Sequence, residues 1–234
     1  MPGGNAAPGS ASSLPAVGAV PELGFAVEGI EPWEYAAVPT LRVRLRIESL
    51  GGQAIRSLAL TTQIRIAVTR RPYGPSAQER LVELFGDPSG WGQTLRSLLW
   101  THTTLIVQGF TGSTVVEMPV PCTYDFDVVA AKYLHALEDG DVPLELLFSG
   151  TVFYADEGSL LRTALISWDK EAEVRLPVRV WKETMNHYFP ESAWLRLRKE
   201  TFDRLYAYKA GRALPTWEHA LDELLQASER PAER

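Results

Sequence analysis

Apolar and polar side chains alternate with a period of two along much of the first 180 residues. Residues 41–48 (LRVRLRIE) show this best, because Leu, Val and Ile occupy one face while Arg and Glu occupy the other. Such alternation is typical of a half-buried strand. Residues 58–68 repeat the pattern after a turn at Gly51-Gly52, so we predict that these two segments form a hairpin.

Five further segments are predicted strands: 95–108, 113–119, 144–154, 160–168 and 171–181. Residues 144–154 are apolar on both faces, which indicates a central strand. Pro177 removes one hydrogen-bond donor from the last segment, so we predict that it is an edge strand. Trp181 then falls on its outward-facing side.

Two short helices interrupt the strands. Ser76 and Glu79 have the spacing of a capping box, which predicts a helix over 77–85. A second helix is predicted over 128–137, with Asp127 as its N-cap. From about residue 192 apolar residues recur every three or four positions, which predicts a C-terminal pair of amphipathic helices.

These elements predict a mainly β fold, α+β overall. We expect an antiparallel β-sandwich or barrel with short helical insertions and a C-terminal helix pair. The expected division is a disordered tail, a β-sandwich-like domain, a helical segment packed on it and a frayed end: 1–20, 21–184, 185–228 and 229–234.

The composition of the chain argues against several classes of protein. The 234 residues carry a net charge of −6, which argues against a general nucleic-acid binder. No apolar run is long enough for a membrane span, and the N-terminal residues lack the pattern of a secretion signal. A single cysteine, Cys122, allows no internal disulfide. We therefore expect a cytoplasmic protein without a membrane span.

The sequence contains no strong catalytic or metal-binding motif. The four histidines lie in separate segments, and none is paired at the spacing of a zinc helix. We predict no cofactor, no metal site and no catalytic residue, and we expect Cys122 to be a buried core residue. The sequence favours a protein that is not an enzyme, although distant strands can assemble an active site without a local motif.

Three arginines, Arg42, Arg44 and Arg46, project from one face of the strand over 41–48, roughly 7 Å apart. They are candidates for a surface that binds an anionic partner. The alternative, favoured because the chain is acidic, is cross-strand pairing with acidic residues: Glu117, Glu145, Glu171 or Glu173. Trp181 is a second interface candidate, with core packing as its alternative.

Residues 194–226 resemble the ribbon-helix-helix module of DNA-binding antitoxins. The likeness comprises a short alternating strand, an "ETxxRL" helix, a turn and a second helix ending in "LL". It implies a dimer whose paired strands enter the major groove, with Arg196 and Arg198 facing DNA. The first helix would usually open with Ser or Asp, whereas this chain has Arg198 there. Two amphipathic helices that cap the sandwich explain the same pattern.

The order of motifs along residues 22–228 resembles an uncharacterised, mainly actinobacterial family of unknown function. The likeness rests on "VPCTYDFDVVAAKYLHAL", "RLPVRVWKETMNHYFPESAWLRLRKETFDRLYAYKA" and "LPTWEHALDELL". Members of that family occur near nickel–iron hydrogenase genes. The resemblance therefore implies an accessory role there, with a hydrogenase component as the partner.

Three functions remain open. We favour a non-enzymatic accessory protein that binds a protein partner through an edge strand or an aromatic hot spot. The second is a β-sandwich that binds a small molecule or carbohydrate, with Trp91, Trp100 and Tyr154 as candidate contacts. The third is a DNA-binding regulator that uses the C-terminal helices, which the acidic charge disfavours.

Overall fold

The structure is a computed structural model, and it describes residues 20–123, 125, 128–155, 160–190, 192 and 195–229. Its strands are β1 (Leu23–Pro32), β2 (Thr40–Ser49), β3 (Ile55–Ile66), β4 (Leu98–Phe110), β5 (Ser113–Pro121), β6 (Asp141–Ala155), β7 (Leu161–Leu165) and β8 (Glu171–Pro177). Its α-helices are α1 (Pro75–Phe85), α2 (Trp91–Thr94), α3 (Val129–Ala136), α4 (Val178–Tyr188), α5 (Lys199–Gly211) and α6 (Trp217–Glu229).

The strands form two separate antiparallel sheets. The smaller sheet has the order β1-β2-β5. The larger has the order β4-β3-β6, and both β7 and β8 pair with the remaining edge of β6. The predicted mainly β, antiparallel fold is confirmed, and the two sheets form a sandwich rather than a closed barrel.

One hydrophobic core lies between the sheets. Alternate residues of β2 and of β3 point into it, and they are almost wholly buried from Leu41 to Ile47 and from Leu58 to Ile66. The rings of Phe25 in β1 and Phe148 in β6 stack across the two sheets with their centroids 4.2 Å apart. The alternation in the sequence therefore reports the core side of each strand.

The predicted hairpin between 41–48 and 58–68 is wrong. β2 pairs with β1 and β5, whereas β3 pairs with β4 and β6, so the turn after β2 carries the chain from one sheet to the other. No strand was predicted over β1. It pairs with one edge of β2, and β5 pairs with the other, so neither edge of β2 is available to β3. The central position predicted for 144–154 is confirmed, because β6 pairs on both sides.

The last predicted strand ends earlier than expected. β8 is an edge strand, as predicted, but Pro177 ends it and α4 begins at Val178. Proline suits this boundary, because its missing N–H has no partner at a helix start. Trp181 consequently lies in α4 with 2% of its surface exposed, not on the outward side of a strand. α4 lies against β1 and β2 and crosses the boundary expected at residue 184.

Both predicted internal helices are confirmed as α1 and α3. The capping box is not formed: Gly74 is the N-cap of α1, and the Ser76 hydroxyl donates to Glu138 instead, at 3.1 Å. Asp127, the expected cap of α3, lies outside the described residues. The hydroxyls of Tyr73 and Tyr133 are 2.8 Å apart in a buried aromatic cluster that joins the two helical insertions.

Gly150 provides a test of how closely the two central strands approach. Its φ is +140°, and a Cβ there would lie 1.9 Å from the carbonyl oxygen of Ala59 in β3. We predict that Gly150→Ala lowers the free energy of unfolding by at least about 3 kcal/mol, because strain and a backbone clash add. Urea unfolding followed by Trp fluorescence measures this.

Gly52→Ala is the matched control, because Gly52 also has a positive φ, +72°, but a Cβ there would meet no atom within 4 Å. It should cost only about 1 kcal/mol. Equal losses for both variants would show that the close approach at Gly150 contributes nothing.

Candidate functional site

The outer face of the smaller sheet is covered by ion pairs. Arg42 contacts Glu31 at 2.6 Å and Glu117 at 3.2 Å, while Arg44 and Arg46 both pair with Glu28. Of the four acidic partners considered from the sequence, Glu117 pairs with this row, and Glu145 and Glu173 pair with Arg70. The side chains of the arginine row therefore make the cross-strand contacts that were the alternative to a free cationic surface.

Part of the outer face of the larger sheet has the opposite chemistry. This part consists of three cross-strand rows, which we call the neutral face: Gln108–Ser57–Phe153–Thr163, Ile106–Ala59–Thr151–Leu165 and Thr104–Thr61–Ser149. None of these eleven residues is charged, although 22% of the whole chain is. Seven of the eleven are Ser, Thr or Ala, whose side chains are short. The rest of the same face carries charges, among them Arg65, Glu145 and Glu173.

Large apolar side chains stand at the two margins of the neutral face. Ile106 in β4 is 63% exposed and Leu165 in β7 is 80% exposed. β3 and β6 lie between them, so the two residues are three strand spacings, about 14 Å, apart. Leu161 continues the β7 margin, and Trp168 after β7 is 93% exposed. A contiguous apolar and uncharged surface of this kind is typical of a binding site for another macromolecule.

β7 is also a free edge. It pairs with β6 over Thr151–Ala155, and within the described part of the chain no other strand pairs with it. Leu161 and Leu165 project from its outer face, while Arg162, the one charged residue of β7, projects from the opposite face. An extended polypeptide can therefore hydrogen-bond to this edge and cover the neighbouring apolar side chains.

A groove opens at one end of the sandwich, and we call it the Cys122 groove. It encloses about 480 Å³ and is lined by Val38, Pro39, Cys122, Thr123, Asp125, Phe189, Leu195 and Arg196. The hydroxyl of Tyr188 fixes the loop on one side by donating to the Ala36 carbonyl oxygen at 2.6 Å. The lining is mostly apolar and includes no histidine.

Cys122 is buried in this groove, as the sequence analysis expected. Burial raises the pKa of its thiol to about 12, so the thiolate is scarce at neutral pH. The thiol contacts the Val120 carbonyl oxygen at 3.6 Å. It has the environment of a structural cysteine rather than that of a nucleophile.

The four histidines lie on four different elements, His102 on β4, His135 on α3, His187 on α4 and His219 on α6. Desolvation, followed by the charges of Lys182 and Arg80, lowers the pKa of His135. His219 lies 2.8 Å from the Thr216 hydroxyl, and the ring of His187 packs on Tyr188. Among the described residues no group of three His, Cys, Asp or Glu side chains could hold a metal ion, and no helix there is long and apolar enough to cross a membrane.

The aromatic residues considered for sugar binding do not form an exposed strip. Trp91 and Tyr154 belong to the buried core, and Trp100 packs against it. Trp181 is also in the core, which corrects its expected outward position.

The short strand of the ribbon-helix-helix likeness is not formed. Residues 195–198 are exposed and adopt no regular structure, and Arg198 immediately precedes α5. Arg196 lies at the groove and Arg198 in solvent, so neither is on a strand face that could enter a DNA groove. The two C-terminal helices themselves are confirmed as α5 and α6.

Nearly the whole chain matches one known protein family. Residues 20–233 match the model of a family described as a family of unknown function, DUF6084. The chain belongs to this family. The match extends over the residues of the sandwich and of both C-terminal helices.

No curated protein matches this member of the family. Among solved structures, the chain is similar to a β-glucosidase from Kluyveromyces marxianus, with 9% identity and a TM-score of 0.23 over 66% of this chain and 15% of that one. It is also similar to β-glucosidase 3B from Thermotoga neapolitana in complex with α-D-glucose, with 16% identity and a TM-score of 0.21 over 66% and 17%. The chain thus spans about a sixth of either enzyme, and these likenesses carry no argument about its function.

Sequence reasoning missed the neutral face. The signal was present in "LALTTQI", "THTTLIVQ" and "SGTVFY", where half of the residues between the core positions are Thr, Ser or Ala and none is Asp, Glu, Lys or Arg. Recognising it required knowing that these three segments are neighbours in one sheet.

The raised pKa and burial of Cys122 predict that its thiol is unreactive in the folded protein. We expect iodoacetamide at pH 8 to modify it at least about a hundredfold more slowly than in urea. Mass spectrometry counts the single adduct that this one-cysteine chain can form. Equal rates with and without urea would show that the groove exposes a reactive thiolate.

Proposed function

We propose that this protein is a non-enzymatic accessory protein that binds a partner protein through the neutral face. The observation that carries the proposal is the contrast between the two outer faces of the sandwich. One is covered by paired charges, whereas a continuous part of the other presents eleven uncharged residues in three rows.

Desolvation favours the neutral face over the arginine row as a binding surface. A charged side chain is costly to remove from water, so the centres of protein interfaces are depleted of charge. Covering Ile106 and Leu165 removes two exposed apolar side chains from water without burying an ion. Covering the arginine row would instead require three guanidinium groups to be desolvated with their carboxylate partners.

The geometry also favours one kind of partner, a protein that supplies an extended segment. Such a segment would pair with the free edge of β7 and place its apolar side chains over Leu161 and Leu165. Main-chain hydrogen bonds would supply affinity, and the apolar contacts would select the sequence. Trp168, exposed just beyond β7, is suited to act as an aromatic anchor.

The resemblance noted in the sequence implies where this partner is found. It points to a nickel–iron hydrogenase system, so we propose a hydrogenase component as the partner and the cytoplasm as the site of binding. The described residues offer no cluster of metal ligands, which suits a protein that assists such a system without carrying its metal.

A charge placed on the neutral face should abolish binding. We predict that Leu165→Asp weakens the complex with the captured partner at least tenfold, because a carboxylate would be buried without a counterion. The partner is first isolated from native lysate on the tagged full-length protein. It is then purified, and its Kd is measured by calorimetry.

Val115→Asp is the matched control. Val115 is an exposed apolar residue on the outer face of the smaller sheet, where it lies opposite Arg46. This variant should bind like the unmodified protein. Unchanged affinity for Leu165→Asp, or an equal loss in both variants, would contradict binding through the neutral face.

The Cys122 groove favours a second candidate function, the binding of a small apolar molecule. If it does bind one, a medium-chain fatty acid such as dodecanoate should raise the melting temperature. Leu195→Asp, which places a charge in the groove lining, should abolish the rise, whereas Leu99→Asp on β4 should keep it. No rise with any apolar probe would remove this candidate.

A further inference from the structure

The two C-terminal helices form a hairpin with its own set of contacts. The ring of Trp217 in α6 packs against Phe202 and Tyr206 in α5, with centroids 5.5 and 6.2 Å away. Arg212, between the helices, pairs with Glu223. Within the described part of the chain, every hydrogen bond, ion pair and ring contact of Lys199–Glu229 stays inside this segment or reaches Arg198 at its start.

The hairpin buries little of its apolar surface. Ala220 is the single buried residue among those described in α5 and α6. Phe202, Tyr206, Leu221 and Leu225 are all exposed, and in each helix the two residues are four positions apart, on one face of the helix. Isolated helices of 13 residues are marginal in water, so these two need another apolar surface to be stable.

The charges of the hairpin are divided between its two halves. Residues 196–212 contain six basic and two acidic residues. α6 contains four acidic residues and neither Lys nor Arg. Residues 196–212 therefore carry a net charge of +4 and α6 carries −4, with Lys199 and Arg212 already paired to Asp203 and Glu223 inside the hairpin.

We propose that a second copy of this chain covers the exposed apolar residues of α5 and α6, and that the two hairpins form a four-helix bundle. In a two-fold arrangement, each α5 lies beside α6 of the other copy. The basic segment of one copy then meets the acidic helix of the other, twice, and the apolar residues face each other in the centre. One hairpin thus supplies both halves of a charge-complementary interface.

The same charges disfavour other occupants. A nucleic acid that approached the basic segment would bring its phosphates close to the four carboxylates of α6. A partner of a single charge sign would be attracted by one helix and repelled by the other. A second copy satisfies both helices with one contact, and it leaves the neutral face on the sandwich free for the proposed partner.

Charge reversal on each helix tests the arrangement. One variant carries Arg198→Glu and Arg204→Glu, and the other carries Asp222→Lys and Glu229→Lys. These positions leave the Lys199–Asp203 and Arg212–Glu223 ion pairs of the hairpin intact. Light scattering on the full-length chain should give twice the 26.0 kDa chain mass for the unmodified protein and the chain mass for each variant alone.

Mixing the two variants is the decisive step. Opposite charges again face each other in the mixture, so a heterodimer should form at the dimer mass. The proposal is wrong if the unmodified protein is a monomer at micromolar concentrations. It is also wrong if the mixture of the two variants stays monomeric. The rescue also distinguishes lost dimerisation from misfolding, since a misfolded variant would not recover on mixing.

Two further variants test which surface the second copy covers. Leu221→Ser with Leu225→Ser should leave a monomer, whereas Leu165→Asp on the neutral face should remain a dimer. A dimer that survives the double serine variant and is lost with Leu165→Asp would overturn the proposal and place the second copy on the sheet. Partner binding is measured separately, so the two proposals fail independently.

Discussion

The pairing of β3 with β6 is the interaction on which the rest of the structure depends. The two strands pair from Ile55 with Tyr154 to Ile66 with Leu144, and every other strand of the larger sheet attaches to one of them. Gly150 permits their close approach at Ala59, where any Cβ would meet the β3 backbone. Because side chains alternate along both strands, this one register fixes which residues form the core and which form the neutral face.

The outer faces of the two sheets differ in charge, although both sheets have the same alternating pattern of core and outward residues. In β2 the positions between core residues are Arg and Glu, and the neighbouring strands supply the carboxylates that pair with the arginine row. Such exposed pairs contribute little stability, but they keep the face hydrated and unattractive to apolar partners. In β3 the corresponding positions begin with Ser57, Ala59 and Thr61, which leave the backbone accessible, and continue with Gln63 and Arg65. The asymmetry is a property of the side chains, since both sheets share the antiparallel geometry.

Much of the fold could be predicted from the sequence because period-two alternation and helix periodicity are local signals. From these signals, the strands around residues 41–48 and 144–154 and the two C-terminal helices were predicted close to their observed bounds. Pairing is not local, so the hairpin assigned to β2 and β3 was wrong and β1 was missed. Trp181 was misplaced because the residues after Pro177 alternate as a strand would, whereas tertiary packing makes them a helix. The neutral face depends on three segments distant in sequence, so no single segment could reveal it.

The two proposed interfaces differ in a way that affects how the protein would bind. The hairpin interface is selective through charge, so it joins two identical chains and excludes partners of one charge sign. The neutral face is selective through shape and backbone pairing, so it accepts an uncharged extended segment whatever the charge of the remaining partner. A dimer built through the hairpins would carry two neutral faces on one body. If a partner assembly offers two such segments, the second binds intramolecularly, and a face with modest affinity for each can hold the assembly firmly.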